Sequence, residues 1–474
     1  MNEKLAQALN HVGDEKIAQA ATARKFRKRI LFRAVAAAAA LALLLNMPFI
    51  PGVVSAKALA RNPGSQALEH PDRDDYEDFA DFELVRDAWW AARDKQAADT
   101  AQALSNLNGF FLDTSHDYLA GTEENRVWSP INAYIALAML AEVTDGESRQ
   151  QILSALNTRD LETLRTQVGA IWEEVYRDDG NEISVLANSL WLSDRLGYDP
   201  QTIENVARYH YADIYQTDFS SRKATKALQT WLNNHTGGLL KKHTATAAFP
   251  PEAVLTLAST VYLQSKWVDE FNPAKNTVDV FHAPGGDREV TYMNRKNIQT
   301  NYYWGESFGA ISLWLKNGCK MWLILPDADK TLEDVLAEGE YLSILPPAME
   351  EEPENAKYMK VNLTMPKFDI ASSANLKEML QSLGITDIFD LGKSDFTAIT
   401  GETPVYVTSV NQAARIIVDE QGVKAASYIE IPGAGAAMPP EEIIDFILDR
   451  PFLFVLADTS GIPLFTGVVN NPDG

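Results

Sequence analysis

One stretch near the end of the chain restricts what the rest can be. Residues 418–440 split into two incompatible halves. In the first, Val423, Ala425, Ser427 and Ile429 are small or apolar and alternate with Lys424, Ala426, Tyr428 and Glu430. That period of two belongs to a strand with one face for a core and one for water. In the second half, Pro432-Gly-Ala-Gly-Ala-Ala-Met438 has no large side chain before Met438 and closes on Pro439-Pro440. Such a segment builds no regular packed element. Small side chains on accessible backbone are what a protease cleft accepts. The stretch therefore reads as a strand not yet in a sheet, joined to a bait that a protease can cut, and the rest of the chain must supply the sheet.

Composition permits that. The chain has 474 residues, 46% of them hydrophobic, so a large core is available. A formal charge of −23 argues against nucleic acid as a partner. The single cysteine, Cys319, excludes an internal disulfide framework and a multi-thiolate metal site. It lies between apolar runs and is expected to be a buried small hydrophobe.

Rival chemistries find little support. Gly305-Glu-Ser-Phe-Gly309 matches the nucleophile elbow of α/β-hydrolases, but that fold needs a histidine after the serine, and His282 is the last one in the chain. Ser220-Ser-Arg-Lys223 and His235-Thr-Gly237 lie too close together to be the separate elements of a penicillin-binding enzyme. No zincin motif, P-loop or dinucleotide fingerprint occurs, and the seven histidines are scattered. No catalytic residue, metal or cofactor is expected, and the chain is not read as an enzyme.

The N-terminal part divides differently. Residues 1–29 are polar and end in Arg24-Lys-Phe-Arg-Lys-Arg29; an apolar run follows through Val54. A bilayer needs about 20 residues to span, so residues 30–54 read as a transmembrane anchor or signal segment. Basic residues before it place 1–29 as a cytoplasmic tail and the rest outside. The protein is expected at the cell membrane with its domain outside, or secreted if Val54-Ser-Ala56 is a cleavage site. Residues 55–99 read as an acidic linker because Glu69–Asp78 is too charged to bury, with a short helix at Phe82–Ala92. Residues 100–474 form the main domain.

Within that domain a set of motifs recurs in a recognisable order. Ser129-Pro130 opens an apolar helix; Asn188-Ser-Leu-Trp-Leu192 lies in a strand; Lys266-Trp267 follows the apolar run Leu255–Leu263. Met321–Pro326, Met365-Pro-Lys-Phe368 and Leu383–Phe389 come next, then Glu420-Gln421-Gly422, Pro439-Pro440-Glu441, Arg450–Phe454 and Pro463–Gly467. This ordered set resembles the serpin family over roughly residues 100–472. The resemblance implies an α+β serpin fold of three β-sheets and about nine helices with an exposed reactive-centre loop.

It also implies a mechanism and a site. The family traps proteases kinetically: the target attacks the loop, and the cleaved hinge side slides into the main sheet before water releases the acyl-enzyme. Serpin loop insertion is a standard instance of strand addition with release of stored strain. About a dozen new ladder bonds at roughly 1 kcal/mol each, with buried apolar faces, amount to on the order of 10 kcal/mol. That equals a typical whole-domain stability, so the uncleaved form must be held by a barrier.

The hinge is assigned to Glu420, Gln421, Gly422, Val423, Lys424, Ala425, Ala426, Ser427 and Tyr428, with Val423 where the family usually has Thr. The loop comprises Gly433, Ala434, Gly435 and Met438 around a reactive bond at Ala436–Ala437, placed by family spacing from Gly422. Alanine on the acyl side suits an elastase-like or subtilisin-like serine protease, held as a covalent complex by a monomeric inhibitor. No Lys or Arg lies between Lys424 and Arg450, which argues against trypsin-like targets. The sheet-opening region maps to Ser129, Asn132, Gln229 and Asn411, the last three replacing the family's usual Ser, Asn and His, with Trp267 where the loop first meets the sheet. The alternative is a non-inhibitory serpin-fold binding protein exported to the cell surface.

Overall fold

The computed structural model describes residues 56–61, 76, 78–178, 183–250, 253–345, 354–401, 404–408, 410–423 and 442–473. The tail at 1–29, the apolar segment at 30–54 and most of 62–77 lie outside these residues. Among the described residues no helix is long and apolar enough to cross a membrane.

Two hydrogen-bonded sheets organise the domain. The main sheet contains β1 (Lys57–Ala60), β3 (Arg177–Asp178), β4 (Ile183–Ser193), β5 (Ala212–Thr217), β6 (Leu255–Lys266), β12 (Phe368–Asn375), β13 (Asn411–Val418) and β14 (Gly422–Val423). Its order is β1-β5-β4-β6-β14-β13-β12, with β3 added on β4. The second sheet contains β2 (Arg126–Trp128), β7 (Thr277–Ala283), β8 (Gly286–Trp304), β9 (Phe308–Trp314), β10 (Lys320–Pro326), β11 (Ala356–Pro366), β15 (Ile443–Ile447), β16 (Phe452–Ala457) and β17 (Pro463–Val469). Its order is β15-β11-β8-β9-β10-β16-β17-β2, with β7 on β8.

Three sheets were expected, and the second and third are joined here because β8 runs for 19 residues through both. The bend falls at Asn297, whose φ is +59°, opposite a register break between Val361 and Leu363 of β11. An inserted residue of this kind turns a strand and increases its twist, and asparagine tolerates the left-handed backbone better than most residues.

Ten α-helices pack around the sheets among the described residues: α1 (Phe79–Leu119), α2 (Pro130–Val143), α3 (Gly146–Ala155), α4 (Leu161–Val175), α5 (Pro200–Tyr209), α6 (Arg222–Asn234), α7 (Lys241–Thr244), α8 (Leu332–Glu338), α9 (Lys377–Ser382) and α10 (Thr397–Thr400). Local chemistry sets several of their starts. Asp199 accepts from the Thr202 N–H and Pro200 follows it at the first helical position; Ser221 accepts from the Ala224 N–H.

α2 is apolar all round and buried along nearly its whole length, as a helix between two sheets must be. The one charge it carries inward, Glu142, accepts from Arg165 Nε at 2.9 Å and lies 3.2 Å from His210 Nε2. Burial alone would raise this carboxyl's pKa; the bonds from His210 and Arg165 outweigh it and bring the value to about 2.

Two stretches expected to be linker are ordered parts of the domain. α1 begins at Phe79, capped by the Asp78 side chain at the Ala80 N–H; it takes in the short helix expected at Phe82–Ala92 and runs on across the expected boundary at residue 100. Its C-terminal part enters the core through Leu107, Phe110, Phe111 and Leu119. Lys57–Ala60, also placed in the linker, pairs antiparallel with β5 and forms the edge of the main sheet.

Candidate functional site

The site is the interior of the main sheet, where β14 lies between β6 and β13. It starts from a tight turn after β13. Asp419 Oδ1 accepts from the N–H groups of Gln421 at 2.9 Å and Gly422 at 3.3 Å. This is the local bond by which aspartate favours turns. Gly422 then has a φ of +150°, and a Cβ there would sit 2.5 Å from the Lys266 Cα and the Ser265 carbonyl oxygen. Only glycine lets the two backbones approach this closely.

A clamp holds the turn to the sheet. Trp267, fully buried, donates from Nε1 to the Asp419 carbonyl at 2.9 Å and from its backbone N–H to the Gln421 carbonyl at 3.0 Å. The Phe271 N–H donates to the Glu420 carbonyl at 2.9 Å. The Glu420 carboxylate accepts from Asn276 Nδ2 at 2.5 Å and Lys367 Nζ at 3.1 Å. Burial pulls its pKa upward, but its own backbone N–H, Asn276 and Lys367 hold it below the usual carboxylate range. The expected contact of Trp267 with the start of the loop is thus a pair of hydrogen bonds to the hinge turn.

Val423 is the end of the described hinge. It pairs with Ser265 of β6 on one side and Val418 of β13 on the other, and only 5% of its surface is exposed. Its side chain lies on the core face, as the alternation of the hinge requires.

Beyond Val423 the sheet changes character. Among the described residues β6 and β13 are joined through β14 alone. Below it they line a cleft with Thr260, Leu263, Ala414, Ile416 and, from α2, Ser129 and Asn132. The cleft has a volume of about 40 Å³. Among the described residues β6 and β13 each pair with β14 and not with each other, so both keep an edge that a further strand could use. Their facing backbone edges are where such a strand would find hydrogen-bond partners.

The floor of the cleft is a polar cluster. The Ser129 hydroxyl donates to the Leu464 carbonyl at 2.7 Å, tying α2 to β17. Gln412 brackets the Ser129 backbone: its Nε2 donates to the Ser129 carbonyl at 3.0 Å, and its Oε1 accepts from the Ser129 N–H at 3.3 Å. Asn132 Nδ2 donates to the Ser259 carbonyl of β6 at 3.3 Å, and the Ser259 hydroxyl donates to Asn188 Oδ1 at 2.7 Å.

Of the four residues expected here, the structure brings Ser129 and Asn132 together and places the other two elsewhere. Gln229 does not line the cleft; its Nε2 donates to the carbonyls of Ala245 and Ala247. Asn411 is exposed at the start of β13, opposite Asn375. Its neighbour Gln412, absent from the expected set, occupies the position. The hinge residues Lys424, Ala425, Ala426, Ser427 and Tyr428 lie outside the described residues. So do the loop residues Gly433, Ala434, Gly435 and Met438 and the bond Ala436–Ala437. The chain resumes at Glu442, and β15 pairs parallel with β11.

The sequence model described as "Serpin (serine protease inhibitor)" matches residues 105–472. Serpin-Z1C of Triticum aestivum is 28% identical over 365 residues, covering 73% of this chain and 90% of its own. The leukocyte elastase inhibitor of Homo sapiens is 25% identical over 369 residues, covering 76% of this chain and 96% of its own. Among solved structures, the thermophilic serpin tengpin in its native state superposes with a TM-score of 0.67 at 25% identity, over 77% of this chain and 93% of that one.

Proposed function

This chain belongs to the serpin family, and on that premise we propose that it is a suicide inhibitor of elastase-like or subtilisin-like serine proteases. The observation that carries the reading is β14: the chain leading to the loop is already seated between β6 and β13, with Val423 buried as the first residue of a strand that could continue downward. No charged side chain falls on the inward positions Val423, Ala425, Ser427 and Ile429, so continuation desolvates no ion on that face.

The step balances simply. The protease serine attacks the Ala436 carbonyl, the Ala436–Ala437 bond breaks, and Ala437 leaves as a new amino terminus. The acyl-enzyme then travels with the Val423–Ala436 segment as it enters the cleft, and its hydrolysis fails because the insertion distorts the protease. An alanine on the acyl side fits a shallow specificity pocket, and the name of the human relative agrees with that class of target.

Mixing the protein with elastase should give a covalent complex that survives SDS, and the released fragment should begin at Ala437. Val423→Arg should turn inhibitor into substrate, because an unpaired buried charge costs several kcal/mol. Cleavage with full protease activity and no rise in thermal stability would instead favour the non-inhibitory binding protein. The proposal places the domain outside a membrane, supported by the basic cluster at 24–29 and the apolar residues after it; recovery of the intact protein in a salt-washed soluble fraction would count against that anchoring.

A further inference from the structure

A cavity of about 610 Å³ lies between β1 and α5. Three strands separate β1 from β14 in the main sheet, so this cavity is remote from the hinge. Protein interiors are close-packed, and a space of this size is that of a small-molecule site. α5 gives it one continuous face: Pro200, Ile203, Glu204, Ala207 and Arg208 line it at helical spacing. The helix sends Val206 into the core instead. Opposite stands β1, with Leu59, Ala60 and Arg61. Its register breaks between Ala58 and Ala60, which leaves Leu59 out of step with β5.

The walls differ from end to end. β1 runs antiparallel to β5, with Lys57 opposite Gln216 and Ala60 opposite Ile214. Arg61 therefore lies toward the start of β5 at Ala212, close behind the last turn of α5, where Arg208 stands. Two guanidiniums mark that end. Gln216 lies toward the other, and Leu59, Ile203 and Ala207 supply apolar wall between. Among the described residues the ion-paired arginines are all others, and Glu204, one turn before Arg208, is not paired with it. Two cations against one carboxylate make the lining locally positive, in a chain whose formal charge is −23.

We propose that the cavity between β1 and α5 binds an amphipathic organic carboxylate of the fatty-acid class, its head held by Arg61 and Arg208 and its chain laid along Leu59, Ile203 and Ala207. A carboxylate is the planar anion that a guanidinium fork matches, and an apolar chain gains by leaving water. A neutral lipid leaves both guanidiniums unmatched; a cationic amphiphile meets them with like charge. A ligand so placed touches both β1 and α5, and binding to the folded state raises thermal stability by mass action. The site stands apart from protease inhibition, because no residue lining it belongs to the hinge or the cleft.

The test titrates the full chain with dodecanoate below its micelle concentration, followed by calorimetry and by melting temperature, with dodecyltrimethylammonium and acetate as controls. Dodecanoate should bind saturably and raise the melting temperature; the cationic surfactant, which lacks the matching charge, and acetate, which lacks the chain, should each bind about a hundred-fold more weakly. Arg208→Gln and Arg61→Gln should each weaken dodecanoate by about ten-fold, the loss of one charged hydrogen bond. Both side chains are exposed, so these variants should fold and melt like wild type without ligand. Ile203→Trp should fill the apolar wall and abolish binding. No saturable binding of dodecanoate, or equal binding of the cationic surfactant, overturns the site. Binding left unchanged by both arginine substitutions overturns it as well, since the anionic head would then have no partner there.

Discussion

The two sheets of this molecule are built to opposite rules. In the second, β16 and β17 are buried at every position, and β10, β16, β17 and β2 pair in succession. In the main sheet, β6 is only partly buried along most of its length, and among the described residues it reaches β13 through two residues of β14. One sheet lodges the hydrophobic driving force; on the proposed strand-insertion reading, the other keeps a line along which it can take in a strand. The contrast teaches that a fold able to take in another strand separates the surface that must hold from the surface that must yield.

If the sheets are energetically separate, the largest stability loss should come from the second. Leu323 of β10 is fully buried, so Leu323→Ala should lower unfolding free energy by about 2–5 kcal/mol in urea titrations. Insertion after nicking should change little; a large acceleration would show that the two sheets share one energy store.

The hinge clamp should matter next. Glu420→Gln removes the charge that draws in Asn276 and Lys367, and hydrogen bonds to charged groups contribute about 1.5–3 kcal/mol. The folded carboxyl lies below its ordinary range. Its stabilisation is therefore present above the unfolded pKa and fades as pH falls through the folded value. The variant should convert to an inserted, inactive form faster than wild type at neutral pH and show a flatter acid limb; identical acid limbs would mean that Glu420 holds nothing.

The smallest effect should fall on the floor of the cleft. Gln412→Ala removes two bonds to the Ser129 backbone and should cost about 1 kcal/mol. Asn411→Ala, one residue away and exposed, should be silent by the same measurement. The reverse pattern would restore Asn411 to the cluster.

Those two neighbours show what the sequence could disclose. The fold was legible because ordered short motifs survive wherever packing is dense: Ser129-Pro130 opening a buried helix, Trp267 after a long strand, Gly422 where no Cβ fits. Gln412 was also within reach. Ala414, Ile416 and Val418 are the inward residues of β13, so parity puts 412 inward and 411 outward. Helical spacing similarly argued against Gln229, since the buried face of α6 is Ala224, Ala227, Leu228 and Trp231.

Other features had no local signal. Arg415 and Asp369 meet across a ladder from positions 46 residues apart, and Glu142 meets His210 across 68. The helix expected at Phe82–Ala92 is the first part of α1, which runs on to Leu119; a helix of mixed surface gives little sign of its length until its far end reaches a core.

β1 carries one last consequence. A sheet with a bare flank invites strands from other chains, and natural proteins usually cover or interrupt such a flank. Here Lys57–Ala60 lies along β5 with an irregular register between Ala58 and Ala60. The outermost rung is thus occupied by the molecule's own leading segment. A strand from another chain would meet this irregular rung before it met β5, or would have to pair with β12 at the opposite end of the sheet.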